Sequence, residues 1–322
     1  MISRRFLETA EILIYDPVAA NRNATRASLL SLGYRKVAAA PTLDILSARL
    51  RDAPPDLLLA EVSGGDPQIC EAIQSVRRGV LGDNPFIVVL ATTWRRDASI
   101  ITQAVNSGAD DLMARPVSTG LLGERIRLHV ERRKAFVVTS DYIGPDRRRV
   151  PRPGDAPGMD VPNLLKLRAS DTATDDEIVR RIAQSVAAGK KKLNTEKVRR
   201  DAVQLCLQWH MLERRRSDAH DYAEILGRIG QVASEIKNRA LLLRQDAVPG
   251  WCDSIEDSVR TLLELARAAA PDGDARRKAP LGMLGHTAMS LGRMLAAEEV
   301  EPAQLVALDE LVTRRSARFA AA

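Results

Sequence analysis

Five short apolar runs alternate with longer amphipathic stretches over residues 11–134, and this alternation constrains the fold more than any other feature. Strands are expected at Glu11–Tyr15, Lys36–Ala40, Asp56–Glu61, Phe86–Ala91 and Asp111–Ala114. Helical spacing falls between them, over Ala19–Leu32, Thr42–Arg51, Asp66–Arg78, Arg95–Asn106 and Leu121–Arg133. Thr42 suits an N-cap, Pro67 a first helical position, and Gly33 and Gly108 suit helix ends. Near-continuous apolar strands, each followed by a helix, imply a parallel sheet buried on both faces. The fold class expected is therefore a doubly wound, flavodoxin-like α/β sheet of five parallel strands.

Such sheets place their site at the carboxyl ends of the strands, where the strand order reverses. The residues arriving there are Asp16, Glu61, the segment Leu90–Thr93 and Arg115. An apolar strand that delivers a carboxylate to a loop mouth, as Pro55–Glu61 does, singles out Glu61.

Composition changes after residue 135. Over 136–162, prolines, glycines and Arg147-Arg148-Arg149 predict a partly extended linker. From 163 to 322 the pattern is helical, with helices expected near Glu177–Ala187, Thr195–Arg215, Asp218–Arg244, Trp251–Ala269, Leu281–Ala297 and Pro302–Arg318. Asn194-Thr195, Ser217-Asp218 and Asp272-Gly273 mark the breaks. An α/β domain over 10–135, a linker over 136–162 and a helical bundle over 163–322 follow.

Totals exclude several classes. An aromatic share of 3 % suits helix-rich packing, and a net charge of +6 over 322 residues is modest. Cys70, Cys206 and Cys252 are far apart and odd in number, so reduced, buried thiols are expected rather than disulfides or zinc ligands. Glu8, Glu11 and Asp16 interrupt any signal-peptide core after Arg4-Arg5, and no run reaches membrane-spanning length. A cytoplasmic protein with no membrane partner is expected. The basic clusters Lys190-Lys191-Lys192 and Arg214-Arg215-Arg216 suit solvated helix ends, so nucleic acid is not the expected partner.

Ile12-Leu13-Ile14-Tyr15-Asp16, Arg22, Gly33-Tyr34, Pro55-Asp56-Leu57-Leu58-Leu59, Gly108-Ala109-Asp110-Asp111 and Arg115-Pro116 follow one another along the chain. On these motifs, about the first 135 residues resemble a response-regulator receiver (CheY-like) domain. The resemblance implies a phosphoacceptor aspartate at the position of Glu61, an Mg²⁺ held by neighbouring acids, and a lysine where Arg115 stands. This sequence keeps Asp16 but has Pro17 at the second acid, and Leu112 where a switch aromatic is usual. Counting from Pro85 puts the strand-four hydroxyl position at Leu90, with Thr92 or Thr93 serving if the loop shifts. The loop after Glu61 is also about two residues short on this comparison. These departures predict a pseudo-receiver in which Glu61 pairs with Arg115. A solvated strand-end Glu61 without signalling meaning is the plain alternative, and weak Mg²⁺ binding at Asp16 and Glu61 the rival one.

Four histidines bear on phosphotransfer. His129 and His210 are expected to be structural. His220-Asp221-Tyr222 opens an amphipathic stretch that resembles the dimerisation and phosphotransfer hairpin of sensor kinases, but the following Asn or Pro and any ATP-binding glycine motif are missing. His286 in Leu284-Gly285-His286 resembles histidine phosphotransfer domains still more weakly. No nucleophile–base pair stands at a recognisable spacing, so no enzymatic activity is expected. The expected role is two-component or phosphorelay-type signalling by protein contact, with a signalling partner or a second copy bound by the helical half. The alternatives are a phosphorylatable relay component and a nucleic-acid-binding regulator.

Overall fold

The structure, a computed structural model, describes residues 4–63, 68–148, 157–170, 173–214, 219–268 and 273–296. It divides into two compact units, Met1–Lys190 and Lys191–Ala322. Among the described residues, no helix is long and apolar enough to cross a membrane.

The first unit is built on strands β1 (Glu11–Tyr15), β2 (Lys36–Ala40), β3 (Leu57–Glu61), β4 (Val88–Thr93) and β5 (Asp111–Ala114). Their order is β2-β1-β3-β4-β5 and every pairing is parallel. Alternate residues explain the unbroken apolar runs. Leu57 and Leu59 of β3 face one core with Ile12, Ile14, Val88 and Leu90, while Leu58 and Ala60 face another with Leu13, Val89 and Ala91. Helices α1 (Arg4–Thr9), α2 (Ala19–Ser31) and α6 (Thr119–Glu131) cover the first core through Phe6, Leu29 and Ile126. Helices α3 (Leu43–Asp52), α4 (Gln68–Arg78) and α5 (Ala98–Asn106) cover the second through Leu46, Ile73 and Ala104. Burying each Leu or Ile this way contributes roughly 1.5–3 kcal/mol. The caps agree with the local chemistry: Thr42 Oγ1 accepts from Ile45 N (3.4 Å), and Ser118 Oγ from Leu121 N (3.2 Å).

The expected linker gives way, over its first part, to structure. Strands β6 (Phe136–Val138) and β7 (Ile143–Pro145) form an antiparallel hairpin, and Met159 bridges the other side of Phe136. Residues 149–156 lie outside the described residues. The hairpin docks backbone to backbone. A Cβ on Gly108 (φ +85°) would fall 2.5 Å from the Ile143 carbonyl oxygen, and one on Gly144 would fall 2.7 Å from Gly108 Cα. Beneath it lies a buried ionic cluster at the amino ends of β4 and β5. Arg77 Nη2 and Val89 N donate to Asp110 Oδ2 (2.7 and 2.8 Å), and Arg133 Nε donates to Asp110 Oδ1 (3.3 Å). Both guanidinium carbons sit 5.2 Å from the centre of the Phe136 ring.

Helix α7 (Leu164–Arg168) also belongs to this unit: Leu165 joins the core of α1, α2 and α6, and Arg168 pairs with Asp56. The helical part therefore does not begin as a separate body at residue 163. Short amphipathic segments carry no sign of which core will bury them.

The second unit contains the end of α8 (Asp175–Arg214), with α9 (Ala219–Leu242), α10 (Val248–Arg267) and α11 (Gly273–Ala296). The break expected at Asn194-Thr195 is absent because both side chains are used within the helix context. Thr195 Oγ1 donates back to the Lys191 carbonyl (3.0 Å), and Asn194 Oδ1 accepts from Arg239 (2.6 Å). The segment Pro302–Arg318, and the Ser217-Asp218 and Asp272 caps, lie outside the described residues. Leu205, Leu226, Ile229, Ile236, Ile255 and Leu284 are among the core residues, with Cys206 and Cys252. All three cysteines are buried and free, and burial pushes Cys206 and Cys252 up to about 12.

Lys197 and Asp201 are buried together on α8, with Glu235 3.2 Å from the lysine and Arg239 nearby. Burial raises the Asp201 carboxyl to about 7, against the opposing pull of Lys197. A carboxyl raised in the folded state favours folding while protonated, so this contribution is present below about pH 4 and is lost as the pH rises to about 7. Stability of the helical unit is expected to fall across that window by at most about 1.4 kcal/mol per pH unit. Urea titrations at stepped pH check this, and Asp201→Asn should flatten the slope.

Candidate functional site

The strand order reverses between β1 and β3, so Asp16 and Glu61 leave neighbouring strands at one edge of the sheet. Register brings the rest. Glu61 pairs with Thr92, and Thr93 with Ala114, which places Arg115 across from Glu61. Strand β4 runs two residues further than the apolar pattern suggests, so the hydroxyl beside the acid is Thr92 and not the position of Leu90.

Every oxygen of Glu61 is engaged. Oε2 accepts from Thr92 Oγ1 (2.9 Å) and Arg115 Nε (3.0 Å). Oε1 accepts from Ser63 N (2.9 Å) and from the Ser63 hydroxyl. An ionised carboxylate offers about four acceptor positions, so this one has none to spare. Glu61 is only 3 % exposed, which contradicts the solvated strand-end alternative. Ser63 Oγ in turn accepts from Trp94 N (2.9 Å), linking the loops after β3 and β4.

Asp16 is fully buried. Its Oδ1 accepts from Val18 N (2.9 Å), and Arg22 donates to its carbonyl (2.6 Å). Its Oδ2 lies 3.4 Å from Arg115 Nη2 without a hydrogen bond of good geometry. Arg115 thus faces both acids, with Thr25 Oγ1 at 3.4 Å and the Trp94 ring centre 5.9 Å from its Cζ. Thr25, Ser63 and Trp94 were not legible as site residues. Only Ser63, two positions after the acid, had a local signal, that of a hydroxyl-closed turn. Pro17 is exposed and supplies no carboxylate, and Leu112 packs at the edge of a core.

An Mg²⁺ ion does not fit these residues as they stand. Two carboxylates with waters would satisfy such an ion by count, but the guanidinium already occupies the space that both face. Its nitrogens lie 3.0 Å from Glu61 and 3.4 Å from Asp16, so an ion ligated by both acids would first have to displace it. Among the described residues, no group of three or more His, Cys, Asp or Glu could hold a metal. The cavity beside Arg115 and Thr25 measures about 60 Å³, well below the roughly 300–1,000 Å³ of small-molecule sites.

The four histidines stand on four different helices. His129 is buried on α6, 3.8 Å from Asp111, and His210 follows the buried Trp209. His286 is exposed on α11. His220 lies on α9, with its side chain outside the described residues.

A sheet ordered 2-1-3-4-5, with an acid after β1, an acid ending β3 and a basic residue after β5, gives the first unit the fold of response-regulator receiver domains. No family model matches the chain, and no curated protein matches it. Among solved structures, it is similar to a Vibrio cholerae chemotaxis protein, CheY4, at 19 % identity and a TM-score of 0.33, over 37 % of this chain and 96 % of that one. A response regulator from Thermotoga maritima shares 23 % identity (TM-score 0.33; 37 % and 95 % covered). The signal receiver domain of a DNA-binding response regulator from Colwellia psychrerythraea shares 24 % (TM-score 0.33; 38 % and 99 % covered). These likenesses concern the fold of the N-terminal part, and the helical part is unmatched.

Proposed function

We propose that this chain is a two-component-type signalling regulator whose receiver-like unit is a pseudo-receiver, and that it acts by protein contact through its helical unit. The observation that carries this reading is the saturation of Glu61. A carboxylate acts as a nucleophile when a lone pair is free and aimed at the electrophile in a near-attack geometry. At Glu61 each oxygen already holds two donors from Ser63, Thr92 and Arg115. Transfer of a phosphoryl group would have to break several of these bonds and bring further negative charge beside the buried Asp16. Mg²⁺, which would offset that charge, meets Arg115 first.

The helical unit would supply output, binding a signalling partner or a second copy. Its exposed Leu241 and Leu242, adjacent on α9, support contact as its role. The free, buried cysteines support a cytoplasmic location. The test is incubation with labelled acetyl phosphate and Mg²⁺: the chain is expected to take up no label, and stoichiometric uptake would refute the reading.

A further inference from the structure

Away from the crevice, the first unit carries a recess of about 350 Å³ between α1, the turn Leu32–Tyr34 and α6. That volume falls at the lower end of the roughly 300–1,000 Å³ of small-molecule sites. Leu7, Leu32 and Tyr34 floor it, and Gly120, Gly123, Glu124 and Arg127 form its wall on α6. These four stand at i, i+3, i+4 and i+7, so they share one face of the helix. Glycine is a poor helix former, and this face has two. A Cβ on Gly123 would fall 3.0 Å from Leu32 Cδ2, so close packing accounts for that one. A Cβ on Gly120 would meet nothing within 4 Å, so packing does not require this one, and its missing side chain leaves the recess open. Tyr34 is 1 % exposed, yet no described group hydrogen-bonds its hydroxyl, although buried tyrosines ordinarily find a partner. Burial pushes its ionisation well above the ordinary value, which keeps the hydroxyl neutral. Glu124 and Arg127 are exposed and spaced to pair with each other. Neither makes an ion pair or a side-chain hydrogen bond among the described residues.

We propose that this recess binds a small zwitterion with an apolar body, a free α-amino acid of the leucine or phenylalanine kind. Arg127 takes the carboxylate, which its planar fork matches, and Glu124 takes the ammonium group. The apolar side chain lies over Leu7 and Leu32 in the space that Gly120 leaves, and the Tyr34 hydroxyl supplies a further polar contact. The sign of the wall selects the ligand. An anion alone meets Glu124 and a cation alone meets Arg127, whereas a molecule carrying both charges satisfies the pair. None of these residues belongs to the crevice, so the inference stands whether or not Glu61 accepts a phosphoryl group.

The experiment is isothermal titration calorimetry of the full chain with leucine and with phenylalanine. At least one is expected to bind with a Kd below about 1 mM. Its N-acetyl and amide derivatives, which lack one charge each, should bind at least about tenfold more weakly. Gly120→Leu fills the recess with a better helix former and should abolish binding. Arg127→Gln should weaken it about tenfold, and this exposed position serves if circular dichroism shows that Gly120→Leu does not fold. Absence of binding by both amino acids up to about 10 mM would overturn the proposal. Equal affinity for the blocked derivatives would overturn it too, as would binding that either folded variant leaves unchanged.

Discussion

Replacing Asp110 by alanine should destabilise the first unit by about 3–5 kcal/mol, the usual cost of leaving a buried charge without its partner. Two such charges would be stranded here. The side chains of Arg77 and Arg133 are 1 % and 2 % exposed, and both guanidiniums direct donors at Asp110. Arg77 also donates to the carbonyls of Gly108, Pro85 and Ile87, so it cannot swing out without orphaning them. Burial alone would raise the Asp110 carboxyl, but Arg133 and Arg77 overcome it and hold the group below its ordinary value. Burial likewise lowers Arg77 to about 10, against the pull of Asp110. The cluster also seats the Phe136 ring, so amide exchange across Phe136–Pro145 should quicken in the variant. Urea unfolding followed by circular dichroism measures the loss. A change below about 1 kcal/mol, typical of a surface substitution, would mean the cluster does not hold the hairpin to the sheet.

Glu61→Ala is the second large effect, with an expected loss of about 3 kcal/mol. The substitution removes the acceptor for Thr92, Arg115 and Ser63 together. Arg115 would keep Asp16 at 3.4 Å, which holds the cost at the low end of the range for a broken buried pair. Glu61→Gln keeps one carbonyl acceptor and should cost less, about 1–2 kcal/mol. A solvent-facing carboxylate would instead change stability by no more than about 0.5 kcal/mol. Thermal and urea unfolding of the three proteins separates these outcomes.

The sheet was readable because its apolar runs alternate with helical periodicity, and burial on both faces leaves few other arrangements. Asp16, Glu61 and Arg115 were readable because parallel strands deliver their last residues to one edge. Thr92 remained open until register was known, since an apolar count from Pro85 stops at Leu90 and only the Glu61–Thr92 pairing decides it. Thr25 reaches Arg115 across 90 residues of sequence, with no local pattern to announce it. The same holds for Arg77, Asp110 and Arg133, whose meeting is a product of tertiary packing. Phe136-Val137-Val138 was hidden by its length, three residues between Lys134-Ala135 and Thr139-Ser140. Helix α8 continues through Asn194-Thr195, against the break expected there, because these cap-forming side chains find partners along or beside the helix.

Phosphoryl transfer to residue 61 tests the central claim most directly. Wild type should be incubated with acetyl phosphate and Mg²⁺, digested, and mapped by mass spectrometry, beside a variant carrying Pro17→Asp, Glu61→Asp and Arg115→Lys. An unmodified peptide spanning residue 61 in wild type is the result expected. A phosphorylated Glu61 at near-stoichiometric yield would contradict the account.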